Sequence, residues 1–308
     1  MSNKIFHDAQ LNAEFQKHGF VMVPLLNRSE LDEISSQLST MSPDDQFNPG
    51  DGRYHCTFID TNSEYKDRCD RLFRELVAPK LHDILFEYEL LTGNFYVKQP
   101  GGSGEFQVHQ NWDTVDESKY TSVTAWIPLQ DTDEENGTIE FVAGSHKLFP
   151  DIATLNAQYY FSNFSDRVKS EYCCPLPMKA GHAVIFDDDI IHYSKANRST
   201  APRISMQLEF APTSAELLFY FLDPSAPEKG FDVFESEPNY FLKHSLLDCR
   251  NRPDDLKYLR TVPNLNRQVT EREFSRRLKN GEQIRQAFYS GKVYQEPVLH
   301  KILCKLGL

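Results

Sequence analysis

Two histidines and one arginine are the groups in this 308-residue chain whose types and spacing could hold a metal beside an anion. Residues 105–113 read EFQVHQNWD, and in an extended chain alternate side chains share a side, so His109, Asn111 and Asp113 are expected to face one way. Residues 181–194, GHAVIFDDDIIHYS, carry a β-prone run into three carboxylates and then His192. The run RISMQLEF, residues 203–210, alternates strictly: Ile204, Met206, Leu208 and Phe210 lie on one face, and Arg203, Ser205, Gln207 and Glu209 on the other. A facial iron site takes two imidazoles and one carboxylate on one side of the metal and leaves the opposite side for exogenous ligands. His109 and His192 can supply those imidazoles. Each piece alone has an ordinary reading: a polar strand face meeting water, an acidic run forming a solvated turn, a histidine held by structural hydrogen bonds.

The elements that must position these residues fall into three stretches. Over 8–18, Leu11 and Phe15 stand at helical spacing and Gly19 follows as a stop; 20–24 reads as a short strand. A second helix is predicted after Asn27 with Leu31, Ile34 and Leu38 on one face, and a third over 65–88, bent or broken near Pro79. Short β-prone runs follow at 94–97, 106–109, 122–128, 138–142, 183–186 and 203–211, separated by turn signals such as Asn136-Gly137 and Ala180-Gly181. That spacing suits a sandwich or jelly roll. Beyond Pro212 come a mixed segment rich in Phe and Tyr and a polar helical tail with Phe274, Leu278 and Ile284. With no repeat or low-complexity linker, one domain over 1–308 is expected: 1–93 mainly helical scaffold, 94–211 a β core, 212–308 a C-terminal extension.

Composition narrows the partners. The formal charge of -12 opposes binding to nucleic acid and to anionic membranes, and modestly favours a neutral or cationic small molecule. No apolar stretch approaches membrane-spanning length, and the first residues lack a basic start with an apolar core, so a cytoplasmic location is expected, as a monomer or homodimer. The six cysteines show no CxxC spacing and are read as reduced packing thiols.

Four segments in order resemble the phytanoyl-CoA dioxygenase family of Fe(II)/2-oxoglutarate oxygenases: HGFVMVPLL (18–26), VHQNWDTVDE (108–117), TAWIPLQDTDEENGTIEFVAGSHK (124–147) and GHAVIFDDDIIHYSKANRSTAPRISMQLEF (181–210). The eleven positions from His192 to Arg203 match the family's spacing from distal histidine to arginine. The resemblance implies a mainly β fold with flanking helices around a double-stranded β-helix (jelly-roll, cupin-like) core, with Fe(II) and 2-oxoglutarate as cofactors and O2 and a small molecule as substrates. It implies His109 and His192 as iron ligands and Arg203 as the partner of the far carboxylate of 2-oxoglutarate, with Ser205 and Ser194 adding hydroxyls and Trp126 walling the pocket. It also implies that Asp116 and Glu117 form a turn and that 187–189 lead as a turn to the distal ligand. One position departs from the family. His-x-Asp is normal there, whereas this chain has His109-Gln110-Asn111. The alternatives are that Asn111 ligates or holds a metal-bound water, that Asp113 substitutes, that an exogenous anion takes the position as in iron halogenases, or that the protein is a redox-inactive ligand-binding jelly roll. Lys98 and Tyr96 could face substrate, a solvent-exposed lysine being the commoner outcome. Substrate-lining residues are expected from 42–64, 150–178 and the C-terminal segment.

Overall fold

A computed structural model describes residues 4–50, 52–102, 104–149 and 151–280; Ile284 and Cys304 lie outside the described residues. In chain order the strands are β1 (Phe20–Pro24), β2 (His55–Cys56), β3 (Tyr88–Lys98), β4 (Phe106–His109), β5 (Val123–Pro128), β6 (Ile139–Phe141), β7 (Cys174–Pro175), β8 (His182–Asp187), β9 (His192–Ser194), β10 (Arg203–Pro212), β11 (Leu218–Leu222), β12 (Phe231–Glu235) and β13 (Lys257–Val262). The larger sheet runs β1-β8-β5-β10-β3-β2 and a smaller one β4-β9-β6-β7, with every pairing antiparallel. From β3 to β10 the chain passes back and forth between these two sheets, which is the winding of a double-stranded β-helix. The expected fold class is the one observed.

Four helices cover the outer face of the larger sheet: α1 (Ala9–His18), α2 (Arg28–Ser39), α3 (Ser63–Leu72) and α4 (Ala78–His82). α1 starts where the Asp8 carboxylate accepts from the amides of Gln10 and Leu11, and stops at Gly19 with φ 81°; α2 starts on a reciprocal Asn27–Glu30 capping box. Their apolar stripes, including Phe15, Leu31, Ile34 and Leu72, pack with Met206, Leu208, Phe210, Ala125 and Ile185 in one buried cluster. The opposite face of the sheet meets the smaller sheet, where Phe20, Trp126 and Phe186 pack with Ile139 and Phe141.

Three expectations need correction. The helix read over 65–88 is α3, a π-helical turn at Phe73–Val77, and α4. Pro79 cannot donate to the carbonyl of residue 75, and its ring crowds that carbonyl, so the ladder widens just before it. The chain then enters β3 at Tyr88, well before the strand expected at 94. Within β3, Gly93 is required by packing, because a Cβ there would stand 2.3 Å from Cδ2 of the buried Phe73 ring. Finally, β1 forms at 20–24 as expected and joins the larger sheet, β2 adds an unexpected strand from the first third, and the Phe/Tyr-rich segment after Pro212 forms a third antiparallel sheet, β11-β12-β13.

The five described cysteines, Cys56, Cys69, Cys173, Cys174 and Cys249, form no disulfide among the described residues and are buried, as expected of packing thiols. Among the described residues no helix is long and apolar enough to cross a membrane.

Candidate functional site

His109 ends β4 and His192 opens β9, and the two are cross-strand partners in the smaller sheet. Their ring centroids are 4.1 Å apart, close enough for the pair to share one ion. Each ring is fixed the same way. Nδ1 of His109 lies 2.7 Å from the Gln107 carbonyl and Nδ1 of His192 lies 2.9 Å from the Ile190 carbonyl. A carbonyl only accepts, so each Nδ1 carries the hydrogen and each Nε2 presents a lone pair, the tautomer a metal needs. Burial holds both rings neutral: His109 is lowered to about 4, against the pull of its hydrogen bond with Gln107, and His192 is lowered well below its ordinary value by burial and then by His109.

Arg203 and Lys98 are cross-strand partners on the larger sheet and line the same cavity as His109 and His192. Arg203 is 2% exposed; Nη1 donates to Ser205 Oγ at 2.5 Å and the guanidinium lies 5.6 Å from the Trp126 ring. Its Nε has no partner, and among the described residues no carboxylate forms an ion pair with it. Burial brings its pKa down to about 9. Lys98, 1% exposed, donates to Ser194 Oγ at 2.5 Å and to the carbonyls of Ser194 and Lys195. Burial first and Arg203 second push it well below its ordinary value. The solvent-exposed outcome for Lys98 is thus overturned: extending β3 to Lys98 points this side chain between the sheets. A buried guanidinium with an open valence and a second cation beside it fit a carboxylate ligand, since an unpaired buried charge is costly. The imidazole pair in the same cavity fits a divalent metal.

Asn111 is also buried, but it is held by a carboxylate rather than replaced by one. Its amide N–H donates to the Asp188 carbonyl at 2.9 Å. Its Nδ2 donates to Asp188 Oδ1 at 2.8 Å and to Thr124 Oγ1 at 3.0 Å, while Thr124 Oγ1 donates to the same Asp188 oxygen at 2.6 Å. With the nitrogen so engaged, Oδ1 is the acceptor the side chain has left. Asp113 does not stand with the histidines: it lines a different cavity with Trp112, Thr114 and Glu209. The physical reason is that β4 ends at His109, so alternation does not continue to 111 and 113. The acidic run is no solvated turn either, since Asp187 and Asp188 are 8% and 3% exposed. Asp116 and Glu117 do order a turn, accepting from Ser118 and Ser122.

Over residues 15–205 the chain matches the family described as Phytanoyl-CoA dioxygenase (PhyH). It is similar to phytanoyl-CoA dioxygenase domain-containing protein 1 of Danio rerio, 30% identical over 145 residues that cover 43% of this chain and 50% of that protein. It is similar also to phytanoyl-CoA dioxygenase 1 of Oryza sativa subsp. japonica, 28% identical over 126 residues, 40% of this chain and 45% of that protein. The chain spans about half the length of the curated relatives it matches. Among solved structures, the non-heme alpha ketoglutarate dependent epimerase SnoN from nogalamycin biosynthesis superposes with a TM-score of 0.52 at 19% identity, over 85% of this chain and 93% of that one, a likeness of fold.

Proposed function

Because the chain belongs to the phytanoyl-CoA dioxygenase family, we propose that it is a mononuclear non-haem iron, 2-oxoglutarate-dependent oxygenase that oxidises, by hydroxylation, a C–H bond of a small molecule. The observation that carries this reading is the single cavity in which two imidazoles fixed through Nδ1 face the buried Lys98 and Arg203, whose Nε has no partner. His109 and His192 would hold Fe(II), and the amide oxygen of Asn111 would complete the protein's side of the site. Arg203 would take the far carboxylate of 2-oxoglutarate, with Ser205 and Lys98 beside it and Trp126 closing the wall. When bound, iron, 2-oxoglutarate and O2 supply the oxidation, with the cosubstrate leaving as succinate and carbon dioxide.

The chain's own residues do the rest. Hydrogen bonds to Gln107 and Ile190 stop the imidazoles from rotating or exchanging tautomers, so no reorganisation is needed when metal arrives. Trp126, Ile139 and Tyr193 exclude bulk water from the cavity, which strengthens the attraction between the two cations and a dicarboxylate. Asp188 sits one hydrogen bond behind Asn111 and places a carboxylate near the site without direct contact through Asn111 Nδ2.

The test is O2-dependent succinate release with Fe(II), 2-oxoglutarate and a panel of small metabolites. The expected result is succinate formation abolished by His192→Ala. In Arg203→Ala, half-saturation by 2-oxoglutarate should rise roughly 10- to 100-fold, the loss of charge-assisted hydrogen bonds. Equal succinate release by His192→Ala and the parent would contradict the proposal.

A further inference from the structure

The polar face of β10 does not end at the cavity just described. Arg203 pairs with Lys98, and six residues along the same face Glu209 pairs with Thr92 on β3, about 20 Å away by the rise of a strand. There a second cavity opens, its polar lining including Thr92, Trp112, Asp113, Thr114, Glu209 and Glu237 and its walls including the rings of Tyr220 and Phe241. Asn111 immediately precedes Trp112 in the chain, and Thr124, the cross-strand partner of Glu209, donates to Asp188.

This second cavity is polar without being satisfied. Glu209 is 3% exposed and its Oε1 has no hydrogen-bond partner; Thr92 Oγ1, Thr114 Oγ1 and Trp112 Nε1 are buried and without partners too. Asp113 is 5% exposed. Among the described residues no lysine, arginine or histidine lines the space, and neither Asp113 nor Glu209 forms an ion pair. Buried carboxylates are ordinarily paired, and among the described residues the pairing charge is absent. The two acids do not form a group with a third ligand at metal-binding spacing. The cluster of that kind among the described residues is Asp45, His55 and Asp60, whose imidazole is already bonded to Asp45 and to the Tyr65 hydroxyl. Aromatic faces beside carboxylates favour an organic cation.

We propose that this cavity is the substrate site, and that it takes a small molecule carrying a protonated amine, which Asp113 and Glu209 receive while Thr92, Thr114 and the Trp112 N–H engage its polar substituents. The assignment of the ligand as substrate rests on the oxygenase reading above; the preference for a cation does not.

The experiment is calorimetric titration of the full chain, loaded with Mn(II) and 2-oxoglutarate, with phenethylamine and with phenethyl alcohol, which keeps the ring and chain but not the charge. The amine should bind at least 10-fold more tightly than the alcohol. Glu209→Gln and Asp113→Asn should each weaken the amine at least fivefold, with alcohol affinity and 2-oxoglutarate affinity unchanged. Thermal melts on the same samples check that the variants are folded. Equal affinity for the two probes, no binding of either, or amine binding indifferent to both substitutions would overturn the proposal. Intact amine preference in a protein that does not bind 2-oxoglutarate would uphold the cation site and overturn the oxygenase reading instead.

Discussion

Asn111 keeps its place by donating to Asp188, so a carboxylate at 111 would meet another carboxylate where a hydrogen bond now stands, 2.8 Å away. Asn111→Asp should therefore destabilise the metal-free protein by about 1–3 kcal/mol, the cost of losing a hydrogen bond to a buried charged group. Adding Asp188→Asn restores a donor facing an acceptor and should recover most of that loss. Chemical denaturation of the parent, the single variant and the double variant measures both; a single variant as stable as the parent would show that the network carries no stability. At this scale the sequence was informative where a residue's type limits its use. His109, His192 and Arg203 could be named from chemistry and order, and the structure brings all three to one cavity. Lys98 was harder, because a lysine's default is solvent and its burial depends on where β3 ends. Asp188 was hidden among three consecutive aspartates, with nothing local to say which one turns inward.

The site exists because β4 and β9 are short and stop where they do. β4 has four residues and β9 three, so both histidines sit at strand ends. A two- or three-residue strand carries too little alternation to be read by itself, so β7 and β9 escape notice and β6 is legible through the turn signal at Asn136-Gly137, while β4, β5, β8 and β10 are expected within one residue or so of their ends. The β3 boundary was misplaced for another reason: its leucines at 90 and 91 continue the apolar spacing of the preceding helices, and only pairing with β10 decides for strand. Gly93 is the position where this strand and the π turn depend on each other. Gly93→Ala would drive a methyl group into the Phe73 ring and should cost about 1–3 kcal/mol, read as a lower midpoint in urea. An unchanged midpoint would mean that the helical layer yields freely against the sheet.

The whole molecule gathers unlike charges at opposite ends of one sheet face, cations at Arg203 and Lys98, acids at Glu209 and Asp113. Burial raises Asp113, Glu117, Asp189 and Glu209 well above the usual carboxylate range, with Asp151 up to about 7. A carboxyl whose pKa is higher folded than unfolded retains a proton that the unfolded chain gives up, so its contribution falls as pH rises towards the folded value. The buried histidines act below about pH 6.5, where the unfolded chain takes up protons and stability is lost as pH falls. Glu209→Gln should accordingly melt higher than the parent by a margin that grows as pH is raised above the ordinary glutamate range of about 4.3; a constant difference between the two melting temperatures would contradict the buried acid. The -12 net charge was legible from composition, but the meeting of Asp113 and Glu209 in one cavity was not, because they come from the loop after β4 and from β10. The joining of β4 and β9 opposite β3 and β10 is tested most directly by anaerobic titration with Fe(II) and 2-oxoglutarate. The account predicts a saturable visible charge-transfer band at one iron per chain, lost in His192→Ala and shifted to higher 2-oxoglutarate concentration in Arg203→Ala. Absence of the band in the parent, or its persistence in His192→Ala, would contradict it.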